Sequence, residues 1–196
     1  MDKYRLADQQ GPQHGAGSWS SEGLLSLSDS SGVIMKVGVL SDTHVPTIMK
    51  ALPPVIFDIF RDVDLILHAG DIVEMSVLEE LGTLAPVEAV AGNMDDSEIQ
   101  VKLPYKKVIT LGRYTAGLIH GKYKRDVQQE MIRKEFEDVD LIIYGHSHTP
   151  FWGKVNGVYY LNPGSPTDKQ YAPYNSVALL EIGEELTAQI IRVESV

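Results

Sequence analysis

The strongest constraint on the fold is the order of the apolar segments that follow Lys36. Apolar runs typical of buried strands alternate with amphipathic segments typical of helices up to Tyr144, and only strand-like runs follow. The predicted strands are 36–40, 64–68, 87–91, 107–111, 115–120, 140–144, 151–155, 158–162, 176–182 and 186–193, and the predicted helices are 53–62, 74–82 and 126–136. Alternating strands and helices followed by a run of strands predict an α/β fold with mixed sheets and helices outside them.

Residues 1–34 differ in composition from the rest of the chain. They are rich in Gly, Ser and Gln and have little periodic apolar content, which predicts a disordered N-terminal extension or leader. His14 lies in this segment, and we assign it no role. The segment lacks the basic start and apolar core of a secretory signal, and we expect a cytoplasmic protein. We place one domain over residues 35–196.

Composition excludes several kinds of protein and of site. The chain has no cysteine, so any metal must be held by His, Asp, Glu or Asn side chains. Its formal charge of −10 argues against general nucleic-acid binding, which needs lysines and arginines to neutralise phosphates. No apolar run approaches the roughly 20 residues that cross a bilayer. Four tyrosines could pack internally or form the interface of a homo-oligomer, and these are Tyr159, Tyr160, Tyr171 and Tyr174.

Metal-capable side chains directly follow five of the predicted strands. The motifs are "SDTH", "AGD", "AGNMD", "HG" and "GHSH", and they contain Asp42, His44, Asp71, Asn93, Asp95, His120, His146 and His148. Loops at the carboxyl ends of strands converge on one crevice in open α/β sheets. We therefore expect these side chains to meet in space.

Each motif has an ordinary structural interpretation when it is considered alone. An aspartate after a strand is usually a turn former, "GNMD" can be a tight turn, and a single histidine is more often a core or surface residue. The "GHSH" motif is more specific, because alternate side chains of an extended segment point to one side. Recurrence at five strand ends, in order, favours one shared site.

A ring of histidines, aspartates and one asparagine suits two divalent ions. Two such ions about 3.5–4 Å apart can clamp a phosphoryl group and hold a hydroxide between them as the nucleophile. Asp42 and Asp71 would bring only two negative charges, so the site would stay positive overall and would lower the pKa of a bridging water. The pattern predicts phosphoryl chemistry at a binuclear metal centre.

The ordered motifs D-x-H, G-D, G-N, H-G and G-H-x-H resemble those of the calcineurin-like metallophosphoesterase superfamily. The short chain is most similar to its small bacterial and archaeal phosphodiesterase branch, over about residues 35–194, and shares the branch's "NPGSP" loop at 162–166. The resemblance implies a four-layer α-β-β-α sandwich of two mixed sheets flanked by helices. It also implies hydrolysis of a small phosphate ester, most readily a phosphodiester, by attack of a metal-bridging hydroxide.

The resemblance also implies which residues hold each ion. Asp42, His44, Asp71 and His148 would hold the first, and Asp71, Asn93, His120 and His146 the second, with the Asp71 carboxylate bridging. It gives catalytic roles to Asp71, Asn93, His120 and Asp95, the last orienting a ligand imidazole or the substrate pocket. Asn93 and Lys122 would contact substrate. The expected cofactor is two divalent ions per chain, first of all Mn²⁺, with Zn²⁺, Fe²⁺ or Ni²⁺ as alternatives.

Two positions depart from the family pattern. Larger members have a histidine directly after the Gly-Asn pair, where it protonates the leaving group, and this chain has Met94. Methionine is no general acid, which favours diesters or activated esters. Lys122 stands where branch members often have a histidine, and "HGKYKR" could attract a phosphate or simply be a solvated lead-in to the third predicted helix.

Other functions remain as alternatives. The retromer subunit of the same fold resembles this chain but serves protein–protein assembly, and its relatives lose the acid of "GD" and the amide of "GN". Both are present here as Asp71 and Asn93, which favours catalysis. Protein Ser/Thr phosphatases are larger and use an arginine beside the metals. A single structural metal would need fewer ligands than this chain offers.

Overall fold

The computed structural model describes residues 34–124 and 126–193, so all but the last residue of the predicted extension lies outside the described residues. Its strands are β1 (Met35–Leu40), β2 (Leu65–His68), β3 (Val87–Ala89), β4 (Lys106–Leu111), β5 (Tyr114–Ile119), β6 (Leu141–Tyr144), β7 (Phe151–Val155), β8 (Val158–Asn162), β9 (Ser176–Ile182) and β10 (Leu186–Arg192). Its helices are α1 (Val55–Ile59), α2 (Met75–Leu81), α3 (Ser97–Lys102) and α4 (Gln128–Arg133).

The strands form two five-stranded mixed sheets. The first sheet has the order β10-β9-β1-β2-β3, with β1, β2 and β3 parallel and β9 antiparallel to β1. The second has the order β4-β5-β6-β8-β7, with β5, β6 and β8 parallel and an antiparallel strand at each edge. The parallel strands of both sheets precede the loops that carry the metal-capable motifs.

The core is divided into three apolar clusters by the two sheets. The central cluster joins side chains of both sheets, for example Val39 of β1 with Leu118 of β5 and Ile143 of β6. A second cluster packs α1 and α2 on the outer face of the first sheet, and a third packs α4 on the outer face of the second. The molecule is therefore a four-layer α-β-β-α sandwich, which confirms the predicted fold class.

The secondary structure departs from the sequence prediction mainly in its helices. Helix α3 was not predicted, because only Ile99 of its six residues is buried and so it has little apolar periodicity. Its start is marked by Asp96, whose side chain accepts a hydrogen bond from the Ile99 amide. The three predicted helices are present but shorter than their patterns suggested. Among the described residues, no helix has the length and apolar character required to cross a membrane.

Candidate metal centre

The candidate site lies at the seam between the two sheets, where the parallel strands end. Asp42 and His44 follow β1, and Asp71 follows β2, all from the first sheet. From the second sheet, His120 follows β5, and the histidine pair at 146 and 148 follows β6. The site therefore forms only where the two sheets pack together.

Two groups of ligand atoms converge at this seam. Asp42, His44 and His148 form one group and Asp42, Asp71 and His120 the other, each with ligand atoms within 4.8 Å of one another. Asp42 Oδ1 lies 3.2 Å from His148 Nε2 and 3.9 Å from His120 Nε2. Asp71 Oδ2 lies 3.3 Å from His120 Nε2 and 3.7 Å from His44 Nε2. Both carboxylates of the first sheet thus reach imidazoles of the second.

Hydrogen bonds fix both carboxylates before any ligand is considered. Asp71 Oδ1 accepts the Met94 amide at 2.7 Å, which leaves Oδ2 facing the imidazoles. Asp42 Oδ2 accepts the Ser41 hydroxyl at 2.6 Å and the His146 amide at 3.0 Å. Both side chains are almost completely buried, so these bonds partly offset the cost of removing the charges from water.

Two imidazoles are oriented by bonds at their Nδ1 atoms. His120 Nδ1 lies 2.8 Å from the Ala69 carbonyl oxygen, and because that oxygen can only accept, Nδ1 must carry the proton. His148 Nδ1 is hydrogen-bonded to the Asp168 carboxylate. In both rings Nε2 is then directed at the carboxylates. A partner that fixes the far ring nitrogen is the usual arrangement of a metal-binding histidine.

His120 Nε2 provides a test of whether these residues fit a metal. Among the described residues it is the buried side-chain nitrogen or oxygen that has no hydrogen-bond partner, although Asp71 Oδ2 is only 3.3 Å away. A buried polar atom without a partner is costly, so it needs an explanation. A buried imidazole nitrogen aimed between two carboxylates has the position of a metal ligand, and an ion bound there would replace its proton. The donor set, nitrogen and oxygen without sulfur, suits a borderline or hard divalent cation.

The electrostatics of the seam favour a cation. Burial lowers the pKa of the His120 imidazole, but the side-chain contact with Asp71 and the charges of Asp42 and Asp71 outweigh burial and raise that pKa to about 9. Burial also lowers the pKa of His148, and the carboxylates of Asp42 and Asp168 raise it to about 9. The same negative field that favours a proton on these rings would favour a divalent ion beside them.

The backbone around the site is strained. Five residues of the candidate ring have positive φ although none is glycine: Asp42 (55°), His44 (47°), Asp71 (55°), His146 (68°) and His148 (51°). Non-glycine residues adopt this left-handed region infrequently and at a cost of about 1–3 kcal/mol each. Such residues cluster at functional sites, because the turn they make aims the side chain into the site.

Two glycines of the motifs allow the loops to approach the carboxylates closely. A Cβ added at Gly92 would collide with Asp71 Oδ1 and lie 2.9 Å from Asp71 Cγ. A Cβ added at Gly145 would collide with Ser41 Oγ and lie 2.8 Å from Asp42 Oδ2. The glycine before Asn93 and the glycine before His146 are therefore needed for space at the seam.

Two further predicted ligands are His146 and Asn93. His146 is half-buried, and its ring centroid is 5.3 Å from that of His120. Asn93 is exposed on the loop whose next amide, that of Met94, bonds to Asp71. The structure brings Asp42, His44, Asp71, His120 and His148 into the close groups, and the roles of Asn93 and His146 as ligands stay predictions.

Asp95 contacts the backbone of two loops of the site. Its carboxylate accepts the backbone amides of Ile72, Val73 and Gly92, so it joins the loop after β2 to the loop after β3. These are the loops that carry Asp71 and Asn93. The expectation that Asp95 orients a ligand imidazole or the substrate pocket stays a prediction.

Residues at the rim are more exposed. The Met94 side chain is 59% exposed although its amide is bonded to Asp71. Lys122 is exposed, and its ammonium lies 5.5 Å from the centre of the Tyr105 ring, a cation–π contact. This contact gives Lys122 a structural partner, while its expected contact with substrate stays a prediction.

Several residues that support the site were not identified from the sequence. Asp168 bonds to His148, and the preceding "NPGSP" loop holds the loop after β1: Ser165 Oγ donates to the Asp42 carbonyl oxygen at 2.7 Å. His68 is buried at the end of β2, where its Nδ1 accepts the Gly70 amide at 3.2 Å and its Nε2 lies 3.1 Å from Thr43 Oγ1. The sequence signal that could have identified Asp168 was its position shortly after "NPGSP". The corresponding signal for His68 was its position directly before "AGD".

A phosphoesterase with a metal centre is the class of protein that this fold and site define, and comparison with known proteins agrees. The sequence profile of the calcineurin-like phosphoesterase superfamily domain matches residues 35–185. The chain belongs to this superfamily, whose members are metal-dependent phosphoesterases.

Individual relatives support the same assignment. A probable metallophosphoesterase of Methanothermobacter thermautotrophicus is 42% identical over 160 residues, which are 81% of this chain and 92% of that protein. A phosphodiesterase of Methanocaldococcus jannaschii is 31% identical over 66% of this chain and 83% of its own length. The structure of wild-type Vps29 from Entamoeba histolytica complexed with Zn²⁺ is similar with a TM-score of 0.64 and 29% identity, over 82% of this chain and all of that one.

Proposed function

We propose that this protein is a phosphodiesterase that requires two divalent metal ions. The observation that carries the proposal is the pair of ligand groups that share Asp42, because each combines carboxylate and imidazole atoms around a point that one ion could occupy. The unpartnered Nε2 of His120 adds support from an independent property. The family membership and the curated phosphodiesterase relative make phosphate esters the expected substrates.

Each ion would be held by side chains of both sheets. Asp42, His44, Asp71 and His148 would bind the first, and Asp71, Asn93, His120 and His146 the second. The position of Asp71 Oδ2 supports a bridging role, since this atom lies near His44 of the first set and near His120 of the second. Asp42 has a comparable position, because Oδ1 lies near His148 and His120.

The residues would bind and orient the reacting groups. Bound divalent ions supply a hydroxide nucleophile at neutral pH and neutralise the phosphoryl oxygens. The buried carboxylates hold charge and geometry because their other oxygens are bonded to backbone amides or Ser41. Asn93 and Lys122, both exposed, would contact the substrate phosphate. Mn²⁺ is the first candidate for the native ion.

The leaving group limits the choice of substrate. Met94 is exposed at the rim, at the position that a proton donor has in larger members of the family. Without a donor, the departing oxygen must leave as an anion, so the rate falls when its conjugate acid is weak. We therefore propose small diesters with a good leaving group as substrates.

A scaffold without useful catalysis is the second candidate function, favoured by the structural likeness to Vps29. That Vps29 was solved with Zn²⁺, so the likeness is also compatible with a metal centre. The intact Asp71 and Asn93 make the enzyme the better-supported proposal.

The test is to strip the protein with chelator, add back one divalent ion at a time, and measure both metal content and hydrolysis of bis(4-nitrophenyl) phosphate. We expect two ions per chain and activity that follows metal content, with Mn²⁺ among the activating ions. Two bound ions without turnover of any aryl phosphodiester would favour the scaffold. A single bound ion would contradict the binuclear centre.

A further inference from the structure

An open hollow of about 470 Å³ lies beside the candidate metal centre. The loop after β1 forms one wall with Ile48 and Met49, and the loop after β8 forms the other with Lys169 and Tyr171. Thr167 and Asp168, both buried, are also part of its lining. A volume of this size lies within the range of small-molecule sites.

Both walls are attached to proposed ligands of the first ion. On one side, the Ile48 amide donates to the His44 carbonyl oxygen at 2.8 Å. On the other, the Asp168 carboxylate is bonded to His148 Nδ1, and the Tyr171 ring centroid is 6.5 Å from that of His148. Thr167 Oγ1 joins the two walls by donating to the Thr43 carbonyl oxygen at 2.8 Å. A phosphate at the metal centre would therefore have this hollow next to it.

The hollow presents apolar and aromatic surface in a fixed position. Tyr171 is 66% exposed and Ile48 is 46% exposed. The Tyr171 amide lies 3.2 Å from each Asp168 oxygen, and the Gln170 amide donates to Asp168 Oδ1 at 2.7 Å. The carboxylate that orients His148 thus also holds the backbone of Tyr171. An aromatic ring that is exposed while its backbone is bonded in place suits stacking against a ligand better than packing in the core.

We propose that this hollow binds a planar aromatic substituent of the phosphodiester, namely the group that stays on the phosphorus while the other departs. The proposal rests on the phosphodiesterase function above. Tyr171 stacks on the substituent, Ile48 and Met49 contact its opposite face or edge, and Lys169, which lines the same hollow, attracts the anionic substrate. Selectivity for aryl or nucleobase-bearing diesters over small alkyl diesters follows, because a methyl group reaches none of these surfaces.

The kinetic experiment uses two diesters with the same leaving group. Bis(4-nitrophenyl) phosphate and methyl 4-nitrophenyl phosphate both release 4-nitrophenolate, so the ratio of their kcat/KM values, compared between proteins, reports on the retained group. Stacking on an aromatic side chain contributes enough that Tyr171→Ala should lower this ratio by roughly five- to fiftyfold. Tyr171→Phe keeps the ring and should keep the ratio.

A tyrosine of the same loop provides the matched control. The Tyr174 ring lies against the Arg192 guanidinium, 4.1 Å from ring centre to Cζ, and does not line the hollow. Tyr174→Ala removes a ring three residues along the loop and should leave the ratio unchanged. If Tyr174→Ala lowers the ratio as much as Tyr171→Ala does, the effect is a disturbance of the loop and the proposal is overturned.

A binding measurement separates this proposal from the proposed function. Diphenyl phosphate and dimethyl phosphate are titrated calorimetrically into the metal-loaded wild type and Tyr171→Ala. We expect wild type to bind diphenyl phosphate at least several-fold more tightly than dimethyl phosphate, and Tyr171→Ala to lose that difference. If the protein hydrolyses both nitrophenyl diesters but binds the two probes equally, the proposed aromatic site is wrong and the phosphodiesterase function is supported. If it shows the expected difference in binding but hydrolyses neither diester, the aromatic site is supported and the phosphodiesterase function is wrong.

Discussion

The two sheets bring different chemistry to the same seam. The first sheet supplies both buried carboxylates, Asp42 and Asp71, each at the end of a parallel strand. The second sheet supplies His120, His146 and His148. Only His44 departs from this division, since it follows β1 two residues after Asp42. Neither sheet alone could hold an ion with a balanced set of acids and imidazoles.

The division also shows how the site is tied to folding. His120 of the second sheet donates to the Ala69 carbonyl oxygen of the first, and the His146 amide lies 3.0 Å from Asp42 Oδ2. These bonds cross the seam, so the position of the sheets sets the position of the ligand atoms. Anything that separates the sheets slightly should damage the metal centre before it unfolds the protein.

The largest effect should come from the carboxylates of the first sheet. Asp71→Asn should abolish activity, with a loss well above the roughly 100-fold that is the upper end for partners of metal ligands. Because Asp71 is proposed to contact both ions, mass analysis should find that the variant loses both. Asp42→Asn is the comparison, since it has the same burial and a similar position.

The pair of variants decides which carboxylate bridges. If Asp71 bridges, Asp42→Asn should retain one ion. If Asp71→Asn retains two ions, or if only Asp42→Asn loses both, the bridging carboxylate is that of Asp42.

The close contact of the sheets is tested by Gly145→Ala. The added methyl group would press on Ser41 Oγ and Asp42 Oδ2, and overpacking of this kind typically costs about 1–3 kcal/mol. We expect a lower melting temperature, and we expect metal affinity to fall by a larger proportion than stability does. Gly183→Ala is the control, because the added group would meet only Ile34 Cγ1 at 3.6 Å. An unchanged metal affinity in Gly145→Ala would show that the seam tolerates separation.

The strand ends that carry the ligands could be predicted because their signal is local. An apolar run such as "LIIY" ends at "GHSH", and the fold then needs only the rule that carboxyl ends of parallel strands meet. Contacts distant in sequence could not be predicted in the same way. Asp168 is 20 residues from His148, and only packing of the loop after β8 brings them together. The positive φ of His44 and His148 also had no local signal, because strain is imposed by the surrounding structure.

Asp95 shows what the structure adds to a position identified from the sequence. The resemblance implied that it orients a ligand imidazole or the substrate pocket, and in the structure its oxygens accept three backbone amides of the loops that carry Asp71 and Asn93. A carboxylate that joins two loops and one that orients a ligand have the same sequence position. Only the direction of the side chain distinguishes them.

A smaller effect is expected at His68, the buried histidine at the end of β2 that is not among the proposed ligands. Burial lowers its pKa to about 3, against the charge of Asp42, which raises it. The unfolded chain, with a pKa near 6.5, therefore binds a proton more readily than the folded one. The stability due to neutral His68 is complete above about pH 6.5 and is lost as the pH falls toward 3.

The measurement compares the pH dependence of unfolding with and without this histidine. In the presence of chelator, the free energy of unfolding of wild type should fall between pH 6 and pH 5 by about 1 kcal/mol more than that of His68→Gln. The difference in slope is decisive, because His68→Gln also changes the hydrogen bonds to Gly70 and Thr43. Parallel slopes would mean that His68 is protonated in the folded protein.

The smallest effect concerns Met94, on the rim of the first sheet's side of the seam. Its amide is fixed on Asp71 while its side chain is 59% exposed, so Met94→His would place an imidazole at the rim without disturbing the buried carboxylate. We expect the dependence of kcat/KM on leaving-group pKa to become shallower, because an imidazolium can donate a proton to the departing oxygen. The gain in kcat/KM should be roughly two- to tenfold for alkyl esters, a small part of the ~10²–10⁴ that a well-positioned acid supplies. For 4-nitrophenyl esters kcat/KM should hardly change.

Met94→Gln controls for a polar side chain that cannot supply that proton. Equal slopes for Met94→His and Met94→Gln, with two ions bound in each, would mean that the leaving group is protonated from elsewhere. His44 and Asp95 would then be the candidates, and the difference between this chain and larger family members would not lie at position 94.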